Sequence, residues 1–195
     1  MTKNSNNLQI GLFGFGTVGG GLAHVLDRGK TVNANIKRVC VRNPEKERNL
    51  PKGIFTANPD EILNDPEINL IVELIDDADA AYDIVKRALL NGKSVVSGNK
   101  RMLAYHLDEL IQIQQENDVA LLYEASACGS IPIIRNLEEY YDNDLLKSIT
   151  GILNGSSNFI LSKMFRDKMD YATALKIAQD LGFAESNPVF DVDGF

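Results

Sequence analysis

Gly14-Phe15-Gly16-Thr17-Val18-Gly19 forms a G-x-G-x-x-G run between a predicted buried strand, Leu8 to Phe13, and a predicted helix. One face of that helix carries apolar residues at i, i+4, i+7 and i+8 spacing, namely Val18, Leu22, Val25 and Leu26. In this context the run favours a dinucleotide site whose diphosphate rests on backbone amides at the positive end of the helix. Gly14 would allow the tight turn, Gly16 the close approach of the diphosphate, and Gly19 the close packing of helix on strand. A glycine-rich turn without a ligand is the alternative.

The composition narrows the class of protein. The chain has 195 residues, 44% of them hydrophobic, so it can bury a hydrophobic core. Its net charge of −7 gives no indication of a basic surface for a nucleic acid. No apolar run approaches the roughly 20 residues that span a bilayer, which argues against a membrane partner. Residues 1–7 are polar, lack the apolar segment of a signal peptide, and are predicted to be a disordered tail. Two cysteines are too few for a disulfide framework or a zinc cluster, which favours the reducing cytoplasm.

Short apolar strands alternate with amphipathic helices over residues 8–144. This alternation predicts an α/β fold, a Rossmann-type doubly wound parallel sheet that forms a dinucleotide-binding domain. The strands predicted after the first are Ile36 to Arg42, Leu70 to Ile75, Ser94 to Ser97 and Ala120 to Ser126. The helices predicted after the first include Pro59 to Asn64, Leu103 to Asn117 and Ile131 to Tyr141. A further helix, between the first two of these, is predicted to carry on its inner face Ala81, Ile84, Val85, Ala88 and Leu89.

The pattern changes towards the C-terminus. Leu145 to Leu153 is predicted to be a strand, and Asn154 to Asn158 a polar loop that leads into a helix. A further helix is predicted to be capped by Asp170 and to end at Gly182. The last residues carry no stop signal of their own. Residues 145–195 are therefore predicted to be an incomplete, truncated α+β substrate domain.

Polar residues are predicted at the carboxyl ends of the strands, where doubly wound sheets bind their ligands. Arg42 stands where NAD-selective folds carry an acidic residue, so its charge favours the 2′-phosphate of NADP(H), unless it is an ordinary surface arginine. Lys100 could reach a ligand carboxylate, a phosphate or the reacting oxygen, or lie exposed in solvent. Glu124 and the turn after it could offer oxygens to a hard cation, or the carboxylate could pair with a basic neighbour. Glu185 follows a helix end and could orient an amino group or face solvent.

Six segments, taken together in this order, resemble the homoserine dehydrogenase family. They are Gly11 to Gly21, Val72 to Ile75, Gly98 to Lys100, Glu124 to Ser126 with Ile131 to Ile134, Gly151 to Asn158, and Ala178 to Glu185. The glycine run alone would indicate only a superfamily, whereas the Asn-Gly-Ser-Ser-Asn loop and the Gly-Phe-Ala-Glu segment are far more specific. The likeness extends from about Leu8 to Phe195.

The resemblance implies an activity, the NAD(P)-linked reduction of L-aspartate 4-semialdehyde to L-homoserine in threonine, methionine and isoleucine biosynthesis. It implies a cofactor site with NADP(H) preferred and NAD(H) as the alternative, formed by Gly14, Phe15, Gly16, Thr17, Val18, Gly19, Arg42, Ser97, Lys100 and Gly182. Lys100 is also the one catalytic candidate that the resemblance places within the chain.

The resemblance implies further partners of the site. Glu185 would bind the small-molecule substrate. Glu124, with the backbone carbonyls of Ala127, Gly129 and Ile131, would match a structural Na⁺ site. The full-length enzyme is expected to be a homodimer.

Two departures from the family pattern affect these expectations. Asp76 and Asp77 stand where the family usually has glycines, and carboxylates there would repel an anionic cofactor unless they point away. The lysine thought to pass the proton, and a substrate-binding aspartate, would lie beyond Phe195. The chain as given is therefore expected to bind NADP(H) but to turn over poorly or not at all. A non-catalytic nucleotide-binding module and another semialdehyde- or sugar-type NAD(P) dehydrogenase are the alternatives.

Overall fold

The computed structural model describes residues 7–29, 33–129, 131–151 and 154–184. The chain divides into two compact units, Met1–Ser130 and Ile131–Phe195. This division falls between residues 130 and 131, and the domain boundary predicted after residue 144 stays a prediction.

The first unit contains one parallel sheet, with the strand order β3-β2-β1-β4-β5-β6. The strands are β1 (Leu8–Phe13), β2 (Ala34–Cys40), β3 (Phe55–Thr56), β4 (Leu70–Glu73), β5 (Ser94–Ser97) and β6 (Leu121–Leu122). The sheet grows outward from β1 in one direction and from β4 in the other, which confirms the predicted Rossmann-type doubly wound fold. The carboxyl ends of β1 and β4 border the point of reversal, where such folds bind their ligands.

Helices cover the sheet, and their ends follow from local sequence. They are α1 (Thr17–Arg28), α2 (Asp60–Leu63), α3 (Ala78–Leu90), α4 (Lys100–Glu116) and α5 (Glu124–Cys128). The side-chain oxygen of Asp77 accepts a hydrogen bond from the Ala80 amide at 3.0 Å and caps α3. Asn99 caps α4 in the same way by accepting from the Met102 amide at 2.9 Å, so α4 begins three residues before the predicted Leu103.

The two faces of β1 enter two different cores. Phe13 packs in the larger core, with the buried residues of α2, α3 and α4, and the predicted inner face of α3 is confirmed there. Ile10 and Leu12 pack on the other side, against α1. The predicted face of α1 is only partly correct. Leu22 and Leu26 pack against this second core, but Val18 and Val25 are 65% and 64% exposed. The close approach of Gly19 to the turn rotates the buried face of α1 away from these two valines.

The predicted strand Ala120 to Ser126 is wrong beyond Leu122. β6 is a two-residue edge strand that pairs only with β5. After it the chain turns into α5, and the Ser126 amide and hydroxyl both donate to the Tyr123 carbonyl, at 3.0 and 2.6 Å. Local hydrogen bonds thus replace the ladder that a second neighbouring strand would have supplied.

The second unit is helical in its described residues. Its helices are α6 (Ile133–Glu139), α7 (Gly155–Arg166) and α8 (Tyr171–Asp180). The predicted Asp170 cap is confirmed, because its carboxylate accepts from the Thr173 amide at 3.0 Å. Helix α7 begins at Gly155 rather than at Asn158, because Asn154 caps it by accepting from the Ser157 amide at 2.9 Å.

The predicted strand Leu145 to Leu153 is wrong for residues 145–151, which are irregular; Ile152 and Leu153 lie outside the described residues. Leu145 and Ile149 are 84% and 56% exposed. A strand needs a neighbouring strand edge, and residues 131–151 and 154–184 offer none. In the part of the chain that the structure describes, no helix has both the length and the apolar character needed to cross a membrane.

Candidate functional site

The turn between β1 and α1 is so close to its neighbours that two of its glycines have no room for a side chain. Gly14 has a φ of +91°, and a Cβ there would lie 2.5 Å from the Leu74 carbonyl oxygen, in the loop after β4. A Cβ on Gly19 would lie 2.5 Å from the Gly14 carbonyl oxygen. Strand, turn, helix and the β4 loop therefore meet at backbone contact distance, as the sequence analysis expects of a tight turn and close helix packing.

Gly16 is different, because it faces open space. It is exposed, and a Cβ built on it would meet no atom within 4 Å. It also stands at the N-terminus of α1, which no side chain caps, whereas Asp77 and Asn99 cap α3 and α4. The first amides of α1 thus keep their hydrogen-bonding capacity at the positive end of the helix, an arrangement that suits a diphosphate.

Arg42 lies two residues beyond the end of β2, at the same edge of the sheet. Its side chain is exposed and makes no hydrogen bond or ion pair with any other residue that the structure describes. A guanidinium in this state can form paired hydrogen bonds with a phosphate at little cost.

A buried carboxylate joins the ends of β4 and β5. Glu73 is 0% exposed, and its two carboxylate oxygens accept from the Ser97 hydroxyl at 2.6 Å and the Ile75 amide at 2.7 Å. The Asn99 amide donates to Ser97 Oγ at 3.1 Å, and the Asn99 side-chain amide donates to the Ile75 carbonyl at 3.0 Å. These four residues close a ring of hydrogen bonds, which we call the Glu73 ring. Burial raises the pKa of the Glu73 carboxyl, while the bond from Ser97 opposes that rise.

Sequence reasoning assigned Glu73 no role. The available signal is a single acidic residue within the otherwise apolar run Leu70 to Ile75, because an unpaired glutamate is rarely buried. The ring also fixes the position of two residues implied to be in the cofactor cleft. Ser97 is 0% exposed as a whole residue, and its hydroxyl donates to Glu73. Lys100 is exposed as the first residue of α4, directly after the Asn99 cap.

The two aspartates that depart from the family pattern have different surroundings. Asp77 directs a carboxylate oxygen at the Ala80 amide and caps α3. Asp76 is exposed, and its charge contributes to raising the pKa of Glu73. The carboxylate of Asp77 is therefore partly neutralised by the helix that it caps.

The remaining predicted site residues lie around α5 and in the second unit. Glu124 is the first residue of α5, Ala127 is within it, and Gly129 ends it with a φ of +62°; Ile131 belongs to the second unit. Gly182 has a φ of +76° and donates its amide to the Gln179 carbonyl, a hydrogen bond that closes the end of α8. Glu185 lies outside the described residues. Among the described residues, no group of three or more histidine, cysteine, aspartate or glutamate side chains could hold a metal ion.

Both parts of the chain match models of one family. Residues 14–124 match "Homoserine dehydrogenase, NAD binding domain", and residues 132–195 match "Homoserine dehydrogenase". The chain belongs to the homoserine dehydrogenase family. The resemblance of the six sequence segments is thereby confirmed. The two matched ranges also fall on either side of the division between the compact units.

Curated relatives and solved structures agree with this family. The homoserine dehydrogenase of Bacillus subtilis is 38% identical over 196 residues, which cover 96% of this chain and 45% of the relative. The crystal structure of a homoserine dehydrogenase from Thiobacillus denitrificans is 39% identical, with a TM-score of 0.81, and covers 95% of this chain and 45% of that one. A hyperthermophilic archaeal homoserine dehydrogenase in complex with NADPH is 27% identical, with a TM-score of 0.74, and covers 96% of this chain and 65% of that one. The chain spans about half the length of the curated relatives that it matches.

Proposed function

We propose that this chain binds NADP(H), in preference to NAD(H), as the nucleotide-binding part of a homoserine dehydrogenase. The observation that carries the proposal is the exposed backbone at Gly16, which stands at an uncapped helix N-terminus with nothing within 4 Å of its Cβ position. Arg42, which has no partner among the described residues, supports the preference for a 2′-phosphate. The NADPH complex of a related enzyme supports the same cofactor.

The reaction proposed for the whole protein is the reversible conversion of L-aspartate 4-semialdehyde to L-homoserine. The nicotinamide would supply the hydride, and the protein would hold the reactants together and move a proton to or from the substrate oxygen. Phe15, Thr17 and Val18 would border the nucleotide, and the exposure of Val18 in the first turn of α1 is compatible with such a contact.

The other roles are proposed on the family resemblance. Ser97, Lys100 and Gly182 would line the cofactor cleft, and Glu185 would bind the substrate. A structural Na⁺ is proposed on the Glu124 carboxylate and the carbonyls of Ala127, Gly129 and Ile131, an all-oxygen donor set of the kind that hard cations prefer. A homodimer in the cytoplasm is the proposed state of the full-length enzyme.

The nucleotide site is tested by titrating the protein with NADPH and with NADH and following the fluorescence of the reduced nicotinamide. Gly16→Ala should raise the Kd of both nucleotides at least about tenfold, because the added methyl meets the ligand and not the protein. It should lower the free energy of unfolding by no more than about 1 kcal/mol, because alanine is a poorer helix N-cap than glycine. Gly21→Ala is the matched control, since its Cβ also meets nothing within 4 Å but lies further along α1. Equal effects of the two substitutions, or no binding by the folded parent protein, would contradict the proposal.

The two alternatives give different results in the same experiments. A non-catalytic module without a nucleotide site would bind neither nucleotide. Another dehydrogenase of similar architecture would bind the nucleotide, but homoserine would not protect it against thermal unfolding in the presence of NADP⁺, whereas a sugar acid would. The proposed function predicts that homoserine, and not the sugar acid, protects the protein against thermal unfolding in the presence of NADP⁺.

A further inference from the structure

Three side chains stack between the loop after β2 and the glycine turn. The Arg48 guanidinium carbon lies 4.9 Å from the centroid of the Phe55 ring, on which it packs. The Phe55 ring in turn meets the Phe15 ring edge to face, with 5.4 Å between centroids. Because Phe15 lies between Gly14 and Gly16, this stack connects the β2–β3 loop directly to the turn on which the nucleotide diphosphate is proposed to rest.

The same arginine also holds its own loop closed. Arg48 Nη1 donates to the backbone carbonyls of Asn43 and Lys46, each at 2.9 Å. The Asn43 side chain accepts from the Glu45 amide at 3.0 Å and tightens the start of the loop. The segment 43–48 is thus folded around one guanidinium, and Arg42 is the residue immediately before it.

The two arginines of this region differ in what they contact. Arg48 is half-buried and directs its hydrogen bonds at carbonyl oxygens of the protein, whereas Arg42 is exposed and has no partner in the described part of the chain. A long flexible side chain loses conformational entropy when it binds a phosphate, and this loss is smaller when the backbone that carries it is already fixed. The loop held by Arg48 fixes the backbone next to Arg42.

We propose that Arg48 is a positioning residue for selectivity between NADP(H) and NAD(H), which acts by holding the segment 43–48 against Phe55 so that Arg42 meets the 2′-phosphate. The proposal rests on the proposed NADP(H) site. The proposal requires the shape of the Arg48 guanidinium and not only its charge. A planar guanidinium can stack on the Phe55 ring while it donates to the two carbonyls, whereas a lysine ammonium is not planar and cannot do both in this way.

The test measures the Kd of NADPH and of NADH for the parent protein, Arg42→Gln, Arg48→Lys and the double variant. Arg42→Gln should weaken NADPH about tenfold or more and NADH less than about twofold, since only NADPH carries the 2′-phosphate. Arg48→Lys keeps the net charge and should weaken NADPH about three- to tenfold, again with little effect on NADH. If Arg48 acts through Arg42, the double variant should bind NADPH about as weakly as Arg42→Gln alone.

Three results would overturn the proposal. An equal loss of both nucleotides in Arg48→Lys would show a merely structural role, and an Arg48→Lys loss that multiplies with that of Arg42→Gln would show a contact independent of Arg42. Unchanged Kd values for both nucleotides in Arg48→Lys, with Arg42→Gln effective, would show that Arg48 has no part in selectivity. If Arg42→Gln itself leaves NADPH binding unchanged, the proposed 2′-phosphate site at Arg42 is wrong, and the role proposed for Arg48 is wrong with it. Arg28→Lys, at the exposed end of α1, is the matched control, and far-UV circular dichroism with a thermal melt verifies that each variant is folded.

Discussion

Replacing Ser97 by alanine is the most direct perturbation of the Glu73 ring. The change removes one oxygen atom from a side chain that is 0% exposed, so it creates almost no cavity. It deprives Glu73 Oε2 of a donor at 2.6 Å and the Asn99 amide of an acceptor at 3.1 Å. Both groups stay buried in the folded protein and have no replacement partner in the ring.

The expected cost follows from those two bonds. A hydrogen bond to a charged group contributes about 1.5–3 kcal/mol, and a buried amide left without a partner costs about 1–3 kcal/mol. Allowing for some relaxation, Ser97→Ala should lower the free energy of unfolding by about 3 kcal/mol at pH 8. Ser94→Ala, at the start of the same strand, is the matched control. Ser94 Oγ only accepts from the Ala120 amide at 3.3 Å, so its loss should cost less than about 1 kcal/mol.

The pH dependence gives a second, independent check. Burial raises the pKa of Glu73 above its ordinary value of 4.5, so the folded state binds this proton more tightly than the unfolded state. This carboxyl therefore adds most to stability below pH 4.5, and its contribution is lost as the pH rises through the raised pKa. Ser97→Ala removes a bond that lowers this pKa, so its cost should be largest at pH 8 and should become smaller as the pH falls.

Urea unfolding followed by far-UV circular dichroism at pH 5 and pH 8 measures both effects, since the chain has no tryptophan to report by fluorescence. Faster hydrogen exchange at the Asn99 and Ile75 amides would locate the loss at the ring. A cost no larger than that of Ser94→Ala, or the same cost at both pH values, would refute the reasoning that a charged Glu73 is held by Ser97.

Two further stability predictions concern contacts outside the ring. Gly19→Ala should destabilise the protein by about 3 kcal/mol, because its Cβ would lie 2.5 Å from a backbone oxygen. Gly21→Ala should instead stabilise α1 by up to about 1 kcal/mol. Equal melting temperatures for the two variants would contradict this prediction. Lys93→Met should lower the free energy of unfolding by about 2 kcal/mol, since the buried ammonium donates to the Asp65 and Ile68 carbonyls at 2.5 and 2.7 Å. A urea midpoint equal to or above that of the parent protein would contradict this, because it would mean that burying the charge costs as much as these bonds contribute.

Local sequence patterns predicted best the elements that are stabilised by interactions within a single helix. The inner face of α3 and the Asp170 cap of α8 are present as predicted, because side-chain spacing and a capping oxygen act within one helix. The strand predicted at Ala120 to Ser126 is strand only at Leu121 and Leu122 and passes into helix α5 at Glu124, and Leu145 to residue 151 is irregular. Whether an apolar run forms a strand depends on a neighbouring edge, which the run itself does not encode.

The candidate site divides in the same way. The glycine turn could be predicted because its three glycines form a motif within six residues, and two of them, Gly14 and Gly19, have no room for a side chain. The burial of Glu73 could not be predicted in this way, since it depends on Ser97, which donates to it from the next strand, and on Asn99, whose amide donates to Ser97 Oγ. The stack of Arg48, Phe55 and Phe15 is likewise absent from any local pattern, because Phe15 is distant in sequence from the other two residues.

The sequence by itself determined the alternation of strands and helices over most of the first unit, the position of the glycine turn, and the family to which the chain belongs. These features can be predicted from residue types and short spacings. Only the tertiary structure decided which polar groups are buried together, which face of α1 meets the sheet, and which of the two arginines after β2 has no partner among the described residues. Those outcomes depend on distances between segments that come together in the fold, and no short-range pattern contains such distances.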